Sequence, residues 1–355
     1  MTFKWQAAVG AARSASRPAK ILFIGDSNVA GQGAGTGMNN TTNARIKSFP
    51  VIAAAKLNSK VSKTTVDSFF GDQNITAAGG PLPAYDPRIA LGSGWSADVT
   101  PATLGGRWIT AAGVSAGDLV FTPAGAFDRF TVFYPTAPGA SSSLAVKVDG
   151  ASIGAINQSA SNSYTSTTFS TTLGTHAIGF NNASAGQAFV AGVMCWSSAD
   201  PGIVMLQAGW CGCVAGDMLN MSLPWEPMGG MSVVQPDLTV VYCTINDCNA
   251  NTSLATYSAN MEMIVQQASN TGDVLIVGGF PSNGPNTYNG TLDAYMVALH
   301  SIAASHSAGI IDLRDEFGIN WTIANQRGYT ADSNHPSIGG HAMIGGIIAD
   351  AVYVP

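Results

Sequence analysis

Charge is scarce in this chain. Of 355 residues only 10% are Asp, Glu, Lys or Arg, and 15 basic residues stand against 21 acidic ones, a formal net charge of -6. No basic run or stripe exists to neutralise phosphates, which excludes nucleic acid as a partner. Long apolar runs are missing too. The stretches "ILFI", "LTVVYC" and "DVLIVGGF" have strand length and fall far short of the roughly 20 residues a bilayer requires, so no membrane partner is expected. The opening "MTFKWQAAVGAARSASRPAK" carries basic residues without a continuous apolar stretch, so no signal peptide is evident. Cysteine is sparse and odd in number. Cys195, Cys211, Cys213, Cys243 and Cys248 leave at least one thiol unpaired in a monomer and imply no disulfide framework. "CGC" and "CTINDC" lack C-x-x-C or H-E-x-x-H spacing, so they read as small buried residues, and neither a metal nor another cofactor is expected.

What the chain does have is glycine, 41 residues of it, and an apolar content of 46%. That balance favours loops and β-structure over surface-charged helices, in one large domain or two. From Lys20 the order is strand ("ILFIG"), glycine-rich turn, then a helix over "ARIKSFPVIAAAKLN" with Pro50 at a kink or break: an α/β opening. From about residue 73 to 200 the texture changes to short alternating runs separated by turn signals, among them "RFTVFYP", "SLAVKVDG" and "AFVAGVMCW". Such spacing predicts an antiparallel β-sandwich or jelly roll. Parallel-sheet texture then returns through "IVMLQAG", "DLTVVYCTIND", "DVLIVGGFP" and "GIIDL", with helices between and a closing helix over "IGGHAMIGGIIADAVY". The simplest account is a discontinuous α/β domain (1–72 and 201–355) interrupted by an inserted β-domain (73–200).

In a parallel α/β sheet, reactive groups gather at the carboxyl ends of the strands. The first strand ends in "GDSN" with Ser27, a later one in "QAGWCG" with Gly212, the next in "TIND" with Asn246, and the last helix follows "DSNHP" with Asp332 and His335. Serine, histidine, a nearby acid and two hydrogen-bond donors are the parts for nucleophilic acyl transfer. A hydroxyl is a weak nucleophile without an imidazole base, and the base needs a carboxylate to fix its tautomer. Each residue also has a plainer role: Ser27 or Asp332 as a helix cap, Asn246 as a turn residue. Asp26 and Asp247 read as structural acceptors of backbone N–H groups. His176, His300, His306 and His341 read as surface or satisfied core residues. "GVSAG" matches a nucleophile-elbow pattern, but it lies between short strands, so Ser115 reads as a turn residue. "GQGAGTG" lacks the spacing of a dinucleotide loop.

Taken in order, these blocks resemble the SGNH, or GDSL-type, hydrolase family: Gly25-Asp26-Ser27, Gly209-Trp210-Cys211-Gly212, "QPDLTVVYCTIND" with Asn246, and Asp332-x-x-His335-Pro336. Thr244 stands where the family's third block usually has glycine. The resemblance implies a flavodoxin-like three-layer α/β/α domain and a serine esterase. In it Ser27 attacks, His335 moves the proton and Asp332 orients His335, while Ser27, Gly212 and Asn246 form the oxyanion hole. Members with inserted β-sandwiches include polysaccharide O-acetyl esterases, so an acetylated carbohydrate is the expected substrate. The location implied is extracellular, periplasmic or virion-associated. The alternatives are a general short-chain esterase, lipase or thioesterase, and a non-catalytic carbohydrate-binding or virion structural protein. Trp95, Trp108, Tyr134 and Trp196 of the insert are candidate sugar platforms, with both insert junctions beside the reactive edge. The cysteines that flank Gly212 and bracket Asn246 are expected to converge, with a disulfide as one outcome.

Overall fold

The computed structural model describes residues 3–60, 63–76, 80–97, 103–284 and 290–355. Its centre is a six-stranded parallel sheet in the order Gly309–Asp312, Asp273–Gly278, Leu238–Tyr242, Ala19–Gly25, Ile203–Gly209, Thr64–Thr65. Ala19–Gly25 ("AKILFIG") is apolar almost throughout because helices cover both of its faces. Ile21 and Phe23 join a core with Trp5, Phe49, Leu57, Ile344 and Ile348, from the helices Phe3–Arg13, Phe49–Lys60 and Ile338–Val352. Leu22 and Ile24, pointing the other way as the pleat demands, join Met231, Ile264, Val265 and Leu299 from the helices Pro227–Val234, Leu254–Ser269 and Leu292–Ser305. This is the expected three-layer α/β/α arrangement. Leu238–Tyr242 and the strands after it add on one side of Ala19–Gly25, while Ile203–Gly209 and Thr64–Thr65 lie on the other. The strand order therefore reverses at this strand, and a crevice opens at its carboxyl end.

The rest of the chain builds three antiparallel sheets. One has five strands, including Leu119–Phe121, Leu144–Val148 and Ile178–Asn182. A second has four: Ser68–Phe70, Gly192–Trp196, Phe127–Thr136 and Ser163–Gly174. The third has Trp95–Ala97, Ile109–Ala111 and Ala188–Val190. Phe69, Phe130 and Val193 of the four-stranded sheet and Phe121, Val146 and Ile178 of the five-stranded one share a single core. The antiparallel part thus takes in residues on the amino-terminal side of residue 73, because Phe69 and Phe70 pair with Val193 and Gly192.

Two expectations need correction. Pro50 makes no kink: the helix Phe49–Lys60 begins one residue earlier, and in a first turn no backbone N–H is required. The ends of the antiparallel part also meet the parallel sheet at opposite edges. Gln73 lies at the carboxyl edge, where its carbonyl accepts from Cys211 N at 2.9 Å, whereas Gly202 lies at the amino edge, its carbonyl accepting from Ala19 N at 3.0 Å. Gly192–Trp196 runs antiparallel to Ser68–Phe70 and so carries the chain to the foot of the sheet before Ile203 turns upward.

Glycine at position 25 is what lets the first strand end where it does. Its φ is +151°, and a Cβ there would stand 2.0 Å from the Tyr242 carbonyl oxygen and 2.8 Å from Val29 Cγ2. Gly25→Ala should therefore destabilise the fold by about 3 kcal/mol or more, the combined order of backbone strain and overpacking. Urea denaturation measures this, and a loss below about 1 kcal/mol would contradict the close approach.

Candidate active site

Just beyond Gly25, Asp26 caps the short helix Ser27–Ala30, its Oδ1 accepting from Asn28 N at 2.8 Å. Ser27 is the helix's first residue and is 4% exposed. Its Oγ lies 2.9 Å from His335 Nε2. The ring's other nitrogen, Nδ1, lies 2.9 and 3.0 Å from the two carboxylate oxygens of Asp332. Asp332 also shapes the turn that presents His335, since its Oδ1 accepts from Asn334 N at 2.8 Å and His335 N at 2.9 Å. The following helix is capped by Ser337, not Asp332. Gly33 completes the packing: a Cβ there would meet the Pro336 carbonyl oxygen at 2.2 Å and His335 Cβ at 2.9 Å.

Burial pushes the Asp332 carboxyl upward. The His335 ring and the two backbone N–H groups outweigh it, so the group ends below the ordinary carboxylate range and stays ionised. A hydroxyl, an imidazole and a carboxylate are therefore joined in one chain of hydrogen bonds, the order that nucleophilic catalysis uses.

Three donors belong to residues that line one cavity. The backbone N–H groups of Ser27 and Gly212 have no partner among the described residues. Asn246 Nδ2 gives one hydrogen to the Cys213 carbonyl at 2.9 Å and keeps a second. Ser27, His335, Gly212 and Asn246 line one cavity of about 350 Å³. Thr244 has a φ of -140°, outside the left-handed region that would require glycine. Gln32, Asn74, Cys211 and Asn334 line the cavity as well. Cys211 and Asn334 fall inside two of the sequence blocks, whereas Gln32 and Asn74 belong to none. Asn74 comes from the start of the antiparallel part, and no local pattern in the sequence announces it.

The structural readings of the neighbouring acids hold. Asp247 Oδ2 accepts from Ala215 N at 2.8 Å. Asp26 is fully buried, and burial raises its carboxyl to about 7; the Asn28 N–H opposes this and the charge of Asp247 adds to it. His341 is also fully buried, driven down to about 4 and therefore neutral, with its Nε2 3.1 Å from the Gln32 carbonyl. His176 and His306 pair with Asp149 and Glu262, away from the cavity. Ser115 sits in a turn, its Oγ accepting from Asn182 N at 2.9 Å.

The four candidate aromatics do not reach the cavity. Trp95, Trp108 and Tyr134 are buried: Trp95 donates to the Gly117 carbonyl, Trp108 packs on Phe189 and Trp225, and the Tyr134 hydroxyl bonds Thr167. Trp196 borders a separate cavity of about 550 Å³ at the foot of the sheet, beside Arg17, Lys20 and Asp237. Aromatic rings in short alternating strands went into the core, where they bury the most surface. The cysteines form no bridge. All five are free and buried, and of the two loops only Cys213 and Cys243 bring their thiols into hydrogen-bonding contact.

No protein-family model matches the sequence, and no curated protein does. Among solved structures, a peptidoglycan O-acetylesterase aligns with 98% of this chain and 95% of its own, at a TM-score of 0.73 and 15% sequence identity. The chain shares that structure's fold. The acetylxylan esterase Axe2 from Geobacillus stearothermophilus aligns with 44% of this chain and 75% of its own, at a TM-score of 0.36 and 16% identity.

The Asp26 carboxyl makes stability pH-dependent in a defined direction. Its folded value of about 7 lies above the ordinary 3.8, so between the two the native protein binds more protons than the unfolded chain. Stability therefore falls as pH rises toward about 7 and is level, for this group, above it. Asp26→Asn removes the titration and keeps the cap, so its stability relative to wild type should be greater at about pH 8 than at about pH 5 in urea melts. A difference that does not grow with pH would contradict the assignment.

Proposed function

We propose that the protein is a serine esterase of the SGNH hydrolase type that removes small acyl groups, such as acetyl, from a carbohydrate. The observation that carries this reading is the chain from Ser27 through His335 to an ionised Asp332, opening onto a cavity with three unspent donors. Ser27 Oγ attacks the ester carbonyl while His335 Nε2 takes its proton, and Asp332 holds Nδ1–H and stabilises the imidazolium that forms. The oxyanion of the tetrahedral intermediate is held by Ser27 N–H, Gly212 N–H and Asn246 Nδ2. Collapse expels the sugar alcohol with the proton from His335 and leaves an acyl-Ser27. Water, activated by the same imidazole, releases the acid.

Two features support a short acyl group on a polar alcohol. Gln32, Asn74, Asn246 and Asn334 surround the serine with amides, where a long acyl chain would need an apolar tunnel. The fold shared with a peptidoglycan O-acetylesterase extends over the antiparallel part as well as the parallel sheet. A substrate of that class supports an extracellular, periplasmic or virion-associated location.

Ser27→Ala and His335→Ala should each lower kcat for p-nitrophenyl acetate by about 10⁴-fold or more with the fold intact, and Asp332→Asn by less, since the first two belong to one proton-transfer unit. Acetate release from a panel of acetylated polysaccharides tests the substrate. Acetyl should be preferred over octanoyl esters; the reverse preference would replace this reading with a lipase, and wild-type turnover in Ser27→Ala would remove it.

A further inference from the structure

The Gly212 N–H can serve as an oxyanion donor only if its peptide plane is aimed, and little at the residue itself aims it. Gly212 has φ +86°, and a Cβ placed there would meet nothing within 4 Å, so packing does not restrain it. The restraint comes from hydrogen bonds on its neighbours. Asn246 Nδ2 holds the Cys213 carbonyl at 2.9 Å on one side. On the other, Asn74 Nδ2 holds the Cys211 carbonyl at 2.9 Å, while Cys211 N donates to the Gln73 carbonyl at 2.9 Å. In a trans peptide the carbonyl of one residue and the N–H of the next point in opposite directions. Gripping the Cys211 carbonyl from the side of the antiparallel part therefore fixes the Gly212 N–H on the opposite side of that peptide, and Gly212 lines the same cavity as Ser27.

We infer that Asn74 is a positioning residue for the oxyanion hole, supplied by the antiparallel part of the chain and acting through the Cys211–Gly212 peptide. The inference rests on the esterase reading above. Its setting is held at a cost. Gln73 and Asn74 are consecutive non-glycine residues in the left-handed region, φ +53° and +55°, and the Asn74 Oδ1 is buried without a hydrogen bond among the described residues. Such outliers persist where the surroundings over-determine them. Here Asp72 Oδ1 accepts from Asn74 N at 2.7 Å and Arg107 N at 3.1 Å. Gln73 Nε2 donates to the Gln207 carbonyl at 3.1 Å, and the Tyr85 hydroxyl lies 2.9 Å from Gln73 Oε1.

Two substitutions separate the amide from the backbone. Asn74→Gly keeps the left-handed conformation and removes the donor. Asn74→Asp keeps shape and conformation but sets an accepting carboxylate against an accepting carbonyl. Both should lower kcat for p-nitrophenyl acetate by about 10- to 100-fold with KM within about threefold of wild type. This loss is smaller than the roughly 10²- to 10³-fold for deleting an oxyanion donor outright, because the N–H survives unaimed. Wild-type kcat in either variant, or a loss confined to KM, would overturn the inference and leave the esterase reading standing. Should one variant fail to fold, the other decides. A wild-type protein that hydrolyses no ester would overturn the esterase reading itself.

Discussion

Ser27 and His335 are 308 residues apart in sequence and 2.9 Å apart in space, and the site depends on that one hydrogen bond. It forms because two constraints meet at the carboxyl end of the central strand. Gly25 lets the strand turn against the Tyr242 carbonyl, which leaves Ser27 at the edge of the sheet. Gly33 then lets the following loop lie against His335 and Pro336. A side chain at either position would force the backbone beside Ser27 or His335 to shift. The hydrophobic layers on both sheet faces supply the rigidity that makes the juxtaposition permanent.

Two carboxyls within a few residues of that hydrogen bond are tuned in opposite directions by their surroundings. Asp332 meets an imidazole and two backbone N–H groups, which outweigh its burial and keep it charged. Asp26, adjacent to Ser27 in the chain, meets one backbone N–H in a fully buried setting and is raised to about 7. The first can stabilise an imidazolium; the second serves as a helix cap. The same residue type thus does different work because of what surrounds it.

What the sequence made legible follows the range of the interactions involved. The strand-to-helix turn at "GDSN" and the turn at "DSNHP" are local, with their acids, glycines and caps a few residues from the groups they hold, so Ser27, Asp332 and His335 could be read directly. Gly212 and Asn246 were legible only as members of an ordered set of blocks. Asn74 was not legible, since its side-chain partner is a carbonyl far along the chain and the neighbouring Gln73 is held by the equally distant Gln207 carbonyl. The aromatics misled for a related reason. A tryptophan in an alternating strand looks the same whether its face meets sugar or core, and Trp95 and Trp108 meet core. The foot-of-sheet return at Gly202 was hidden because it follows from the pairing of Ser68–Phe70 with Gly192–Trp196, a long-range register.

The central claim is that Ser27 is the nucleophile, made reactive by His335. Peptide mapping by mass spectrometry after treatment with a fluorophosphonate that labels activated serines tests it most directly. The account predicts a single adduct on the peptide carrying Ser27, formed by the wild type and lost in His335→Ala. An adduct on another serine, or equal labelling of Ser27 without His335, would contradict it.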